Sequence, residues 1–233
     1  MTFVAPDYGK AFGLLRDAAG QKDGGLWDAY TRHPFVEGLR DGSLPQASYL
    51  HYLAQDYLFL VHFSRAWALA VVKSETRDEM KHASATVNAL VNFETQHHVE
   101  VCAAHGIDEA TLFNAEERPE NMAYTRYVLD AGLSGDLADL MVSLVSCVLG
   151  YGEIGMRLAQ ETVADNPYAE WIETYAGDEF QDVCKTAGSM LDQALTRRIG
   201  ADYAASPRWQ RLSDRFIATT RLEKGFWDMG LQP

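Results

Sequence analysis

The sequence is short of positive charge, of cysteine and of proline, and each shortage excludes something. Twenty Lys and Arg stand against 33 Asp and Glu, giving a formal net charge of −13 over 233 residues. So acidic a chain is a poor neutraliser of phosphates, and no basic arm or helix-turn-helix with basic recognition positions offsets this. The composition therefore argues against nucleic acid as a partner. The three cysteines, Cys102, Cys147 and Cys184, are odd in number and widely spaced, which fits a reducing compartment better than a disulfide framework and offers no CxxC pair for zinc. The first residues lack a basic start followed by an apolar stretch, the mark of a secretory signal. The most apolar run, between Asp139 and Glu153, is shorter than the ~20 residues of a bilayer crossing. A cytoplasmic protein with no membrane partner is expected.

Only seven prolines interrupt the chain, and none falls between Pro45 and Pro119, which leaves room for two long helices. Strand signals are also missing. No strand-length alternation is bounded by Asn-Gly or Asp-Gly turns, whereas apolar spacings of three and four recur throughout.

Hydrophobic residues make up 47% of the chain, enough for a sizeable core, and the length suits one domain spanning residues 1–233. The pattern predicts an all-α bundle of seven to ten helices. Short helices are expected at 8–19, 26–33 and 35–40, then a long one from about Gln46 that is apolar nearly all round and so central. A half-exposed helix should run from Thr76 to His105 and stop at Gly106. Further helices are expected at 122–131, at 137–163 behind a cap at Ser134-Gly135-Asp136, and at 168–175, 178–199 and 207–229.

Polar residues on apolar helix faces carry the chemical information, because an unpaired buried charge costs several kcal/mol. Asp56 sits in Leu53-Ala54-Gln55-Asp56-Tyr57-Leu58-Phe59. It is either tied to a donor on a neighbouring helix or orients a ligand. Cys147 lies in a core-like stretch, one turn before Tyr151, and Gly150 with Gly152 thins the helix there as if leaving room. It reads as inert core filler or as the edge of a space left between the helices. Glu223 shares a face with Phe226 and Trp227. It is either exposed and paired with Arg221 or Lys224, or walled by aromatics that raise its pKa and suit it to proton transfer. Glu94-Thr95-Gln96-His97 matches one Glu-x-x-His half of a bundled di-iron site, but a second half is missing. His97 and His98 are therefore expected on the surface, and no metal is expected. His33, followed by Pro34-Phe35, should serve a helix end.

Five ordered blocks carry a resemblance. They are His33-Pro34-Phe35-Val36-Glu37-Gly38-Leu39, Asp41-Gly42-Ser43-Leu44-Pro45, Tyr52-Leu53-Ala54-Gln55-Asp56-Tyr57, Cys147 with Tyr151-Gly152-Glu153-Ile154-Gly155, and Glu223-Lys224-Gly225-Phe226-Trp227. Together they closely resemble the TenA family, thiaminase II, in the branch that retains a cysteine, and the likeness runs over nearly the whole chain.

The resemblance implies a heme-oxygenase-like helical bundle without heme, usually a homotetramer, with a pyrimidine pocket in each subunit. It implies a hydrolase acting on C–N bonds in thiamin salvage, converting aminomethyl-pyrimidine to the hydroxymethyl form and ammonia or cleaving thiamin, without cofactor. Its catalytic positions fall on Cys147 as nucleophile, Glu223 as acid and base, and Asp56, which holds the pyrimidine amino group. Its substrate-binding aromatics fall on Phe59, Tyr124, Tyr151 and Tyr175. Phe59 stands where the family often has tyrosine, and Val148-Leu149 where bulky aromatics are common. The competing expectations are a pyrimidine-binding or regulatory protein, since the family has carried a transcriptional-regulator label, and a metal-dependent oxygenase or PqqC-like enzyme of the same fold.

Overall fold

The computed structural model describes residues 3–233, and among them there is no β-strand. Twelve α-helices succeed one another: α1 (Lys10–Gly20), α2 (Leu26–Thr31), α3 (Pro34–Asp41), α4 (Gln46–Lys73), α5 (Arg77–Ala89), α6 (Thr95–Ala104), α7 (Glu109–Phe113), α8 (Pro119–Ser134), α9 (Leu137–Glu161), α10 (Ala169–Ala176), α11 (Asp178–Ile199) and α12 (Pro207–Gly230). A π-helical turn, Leu90–Glu94, joins α5 to α6, and a 3-10 turn, Tyr203–Ala205, precedes α12.

Local chemistry sets many of the boundaries. His33 caps α3, its Nδ1 accepting from the Phe35 amide at 3.2 Å, as a helix-end role requires. Thr76 opens α5 with a capping box closed by Glu79. Asp136 opens α9 in the same way with Asp139, each box satisfying amides that a helix start leaves unpaired. Gly106, at φ +80°, turns the chain off just past α6 in a conformation that costs other residues more.

The helix count exceeds the expected seven to ten for two reasons. The element expected at 76–105 is a rod divided by the π turn, and the five-residue α7 is too short to show a period. The helix expected at 122–131 begins earlier, at Pro119, which occupies the first helical turn where a missing N–H is harmless.

α9 is the axle of the bundle, packed against α4, α8, α10, α11 and α12. With 25 residues, and a mean hydropathy of 1.5 over its most apolar 18, it is long and apolar enough to cross a membrane. The shorter run inferred from sequence is thus corrected. That apolar stretch is 94% buried inside the bundle. α4 lies beside it and is covered by α5, α6, α8 and α12. The facing sides of α4, α8, α9, α10 and α12 enclose a cluster of polar side chains.

Candidate active site

Asp56 lies near the middle of α4 and is only 4% exposed. Its Oδ2 meets His98 Nε2 at 2.7 Å and accepts a longer bond from the Tyr52 hydroxyl at 3.4 Å. The carboxylate is therefore tied to a neighbouring helix, one of the two roles open to it. His98 is buried, contrary to the expectation of a surface histidine, while the His97 side chain is 40% exposed.

The π turn explains the correction. Leu90 is buried, and in an uninterrupted α-helix the residue seven on, His97, would share its face. One extra residue in the turn rotates the remainder of the rod by roughly 100°, so His98 takes the inward position instead. Thr95 Oγ1 satisfies the Leu90 carbonyl across the turn at 2.8 Å.

Glu223, on α12, is 2% exposed. It pairs with neither of its charged neighbours, since Arg221 bonds Asp23 and Lys224 bonds Asp228. Tyr124 donates to Glu223 Oε1 at 2.6 Å and lies 3.2 Å from Ser146 Oγ. Burial pushes the Glu223 carboxyl up to about 8; contacts from Tyr124, Cys147 and Tyr30 pull downward, and the nearby Asp56 adds to the rise. Such a group is a neutral acid near pH 7 and can both give and take a proton.

Cys147 is partly buried on α9. Its thiol is held well above the ordinary cysteine range, first by burial and then by Glu223, Asp56 and Glu94. Glu94, from the π turn, is pushed up to about 7 chiefly by burial, with His98 opposing and Asp56 adding.

The four expected aromatics line the same region. Phe59 and Tyr124 have ring centroids 5.0 Å apart, and Phe226 joins Phe59 at 5.6 Å. Tyr151 and Tyr175 lie 5.0 Å apart, with Trp171 4.5 Å from Tyr175 and Trp227 5.3 Å from Tyr151. All seven residues expected at the site from sequence are thus brought together.

Several members of the cluster escaped notice in the sequence. His98 and Glu94 were hidden by the π turn. Tyr30, whose hydroxyl contacts the Ser146 carbonyl at 3.4 Å, sits on the six-residue α2, too short to show periodicity. Tyr52, four residues before Asp56, shares one of the five sequence blocks with it and signalled by that spacing.

The two glycines do not leave room for a ligand. A Cβ at Gly150 would lie 2.5 Å from the Tyr30 ring, and one at Gly152 would lie 2.5 Å from Cys184 Sγ. They admit packing partners, and Gly150 thereby brings Tyr30 to Glu223. Among the described residues no three His, Cys, Asp or Glu side chains are arranged to hold a metal. Two open surface cavities, one along Val61, Arg65 and Val91 and one along Asp7, Lys185 and Asp192, are lined by none of the expected site residues.

Comparison with known proteins shows what the chain as a whole is similar to. An aminopyrimidine aminohydrolase of Halalkalibacterium halodurans is 34% identical over 206 residues, 88% of this chain and 89% of that protein. An uncharacterised protein of Haemophilus influenzae is 39% identical over 207 residues, 88% and 93% of the two chains. Among solved structures, a TenA family transcription regulator from Silicibacter sp. TM1040 superposes with a TM-score of 0.93 at 57% identity, covering 97% of this chain and 98% of that one. A domain of heme-oxygenase-like fold from Shewanella denitrificans, 15% identical with a TM-score of 0.67 over 94% and 92% of the chains, shares the fold alone. The bundle is heme-oxygenase-like, and because residues 22–233 match its family pattern, the chain belongs to the TENA/THI-4/PQQC family.

Proposed function

We propose that residues 1–233 form one catalytic domain, an aminopyrimidine aminohydrolase of the thiaminase II type acting in thiamin salvage. The observation that carries this reading is the meeting of a thiol, a neutral acid and a tied carboxylate, Cys147, Glu223 and Asp56, between aromatic walls.

A neutral aminopyrimidine resists nucleophiles until a ring nitrogen is protonated. Glu223, protonated near neutrality because it is buried, gives its proton to that nitrogen, and its carboxylate then takes the Cys147 proton as sulfur bonds to a ring carbon. The thiol needs no low pKa, because its proton leaves only when the ring can accept the sulfur. The ring, no longer aromatic, pushes its electrons toward the exocyclic methylene, the C–N bond breaks, and the amine departs with the proton now on Glu223. The ring N–H returns its proton to Glu223. Water adds to the methylene, its hydroxyl to carbon and its proton to the ring nitrogen. Sulfur then leaves and regains its proton, and aromaticity returns. The sum is amine plus water to alcohol plus ammonia, with no cofactor entering the balance.

Phe59, Tyr124, Tyr151 and Tyr175 stack on a flat heterocycle and exclude water, while Asp56 accepts its amino hydrogen. The acid-rich cluster favours a ligand bearing an ammonium or thiazolium charge, and the −13 surface steers such cations modestly at physiological salt. A cytoplasmic homotetramer belongs to the same proposal.

Incubation of chelator-treated protein with aminomethyl-pyrimidine and with thiamin, following ammonia and hydroxymethyl-pyrimidine, tests it. Turnover that Cys147→Ser abolishes is expected. Silence on both substrates, or activity untouched by that substitution, overturns the mechanism, and tight binding without turnover would favour the pyrimidine-binding alternative.

A further inference from the structure

We propose that His98 is a positioning residue that keeps Asp56 a carboxylate, occupies its Oδ2 and leaves Oδ1 as the single acceptor for a ligand N–H. The inference deepens the aminopyrimidine reading and rests on it for the ligand, although the ion pair stands on geometry alone.

Both nitrogens of the imidazole face acceptors. Nδ1 of His98 lies 2.9 Å from the backbone carbonyl of Glu94. A carbonyl only accepts, so Nδ1 carries a proton and donates. Nε2 lies 2.7 Å from Asp56 Oδ2, so a second proton lies between them. Oδ2 also accepts from the Tyr52 hydroxyl, whose own oxygen accepts from Trp171 Nε1 at 3.4 Å. An oxygen receiving two donors is better matched to a carboxylate than to a carboxylic hydroxyl. The second proton therefore resides on the imidazole, and the pair is imidazolium with carboxylate. Burial alone would lower the His98 pKa, but the Asp56 bond and charge outweigh it and the net shift is upward.

Among the described residues no hydrogen bond reaches Asp56 Oδ1. With Oδ2 committed, the ligand meets one acceptor and no donor. An amino group or a protonated ring nitrogen satisfies it, whereas a ring oxo group would set oxygen against oxygen and leave two buried acceptors unpaired. His98 thereby fixes discrimination between amino and oxo pyrimidines without touching either. The π turn is the device that makes this arrangement, since it supplies the Glu94 carbonyl and turns His98 inward. The ionisable groups around the pair are Glu94 from the π turn, Tyr49 and Tyr52 on α4, Cys147 and Tyr151 on α9, Tyr175 on α10 and Glu223 on α12. Every one is an acid, so among the described residues His98 is the one positive centre of the cluster.

Two measurements test the proposal, the first without substrate. In protein labelled with nitrogen-15 histidine, the His98 signal, identified among seven histidines by its loss from H98Q, should show both nitrogens still protonated above the pH at which an ordinary imidazole loses its proton, in keeping with the upward shift that the Asp56 bond and charge impose against burial. In D56N it should show a neutral ring. A neutral His98 in the wild type overturns the ion pair, whether or not any pyrimidine is turned over. Second, the acid limb of kcat/KM for aminomethyl-pyrimidine should move to higher pH in H98L, with kcat/KM down about 100-fold, whereas H98Q, which keeps a donor toward Oδ2, recovers at least about a tenth of wild-type activity. An unmoved acid limb in a folded H98L overturns the positioning role. If H98L does not fold, H98Q performing no better than D56N overturns it. Failure of the wild type to turn over aminopyrimidines would strike the functional reading alone, because the spectroscopic result stands apart from it.

Discussion

The Tyr124 hydroxyl donates a 2.6 Å hydrogen bond to Glu223 Oε1 and so joins α8 to α12 inside the cluster. That bond is the largest of the effects restraining an acid that burial drives upward. In Tyr124→Phe the restraint goes, and the Glu223 pKa should rise above its present value of about 8. The alkaline limb of the pH–rate profile then moves to higher pH, and kcat/KM falls by roughly 10-fold or more, the cost of one buried acceptor losing its donor. Steady-state kinetics across pH on both proteins checks it.

Stability should depend on the same proton. The folded Glu223 pKa of about 8 exceeds the ordinary carboxyl value of about 4.3, so the native state holds a proton that the unfolded chain releases. The resulting stabilisation is complete below the ordinary value and is lost as pH rises through about 8, a change on the order of several kcal/mol. Glu94, at about 7, acts in the same sense. Denaturant midpoints of the wild type should fall between about pH 5 and pH 9. Glu223→Gln should show a shallower slope, and the double variant with Glu94→Gln a shallower one still.

Cys147 should alkylate slowly. Its thiol is raised well above the ordinary value by burial and by three surrounding carboxyls, and only the thiolate reacts. At neutral pH, iodoacetamide should modify it at least about 10-fold more slowly than it modifies glutathione. The fully buried Cys102 and Cys184, pushed up to about 11 and about 12 by burial, should react more slowly again. Peptide mass spectrometry over time measures all three, and fast labelling of Cys147 would contradict this electrostatic picture.

Gly150→Ala should damage both stability and the site. Its Cβ would stand 2.5 Å from the Tyr30 ring, a buried clash that costs about 1–3 kcal/mol and moves Tyr30 away from Glu223. Gly13, in α1, faces open space, and there alanine should stabilise by about 0.5–1 kcal/mol. Thermal melts of the two variants separate close packing from helix propensity.

Much of the architecture was legible along the chain, and the reasons are local. The helix at 178–199 matches α11 at both ends, because Gly177 and Gly200 bracket an unbroken pattern. Asp136 was recognisable as a cap because capping uses residues two and three positions away. Asp56, Cys147 and Glu223 stood out because each interrupts an apolar face, and a polar side chain there must be compensated. The π turn left no such mark, since its sequence, Leu-Val-Asn-Phe-Glu, contains no breaker. Its single inserted residue moved His98 inward and made a surface residue of the histidine beside it.

Sequence periodicity was enough to specify an all-helical bundle, its central apolar helices and three polar or thiol side chains set on apolar faces, because spacing and burial preference act over one or two turns. Only tertiary packing could decide what those side chains are. Burial against aromatic walls makes Glu223 a neutral acid, burial first and the surrounding acidic groups second keep Cys147 protonated, and a histidine 42 positions from Asp56 claims one of its oxygens. Protonation depends on desolvation and on charges brought within a few ångströms, and the chain achieves both only by folding residues far apart in sequence onto one another.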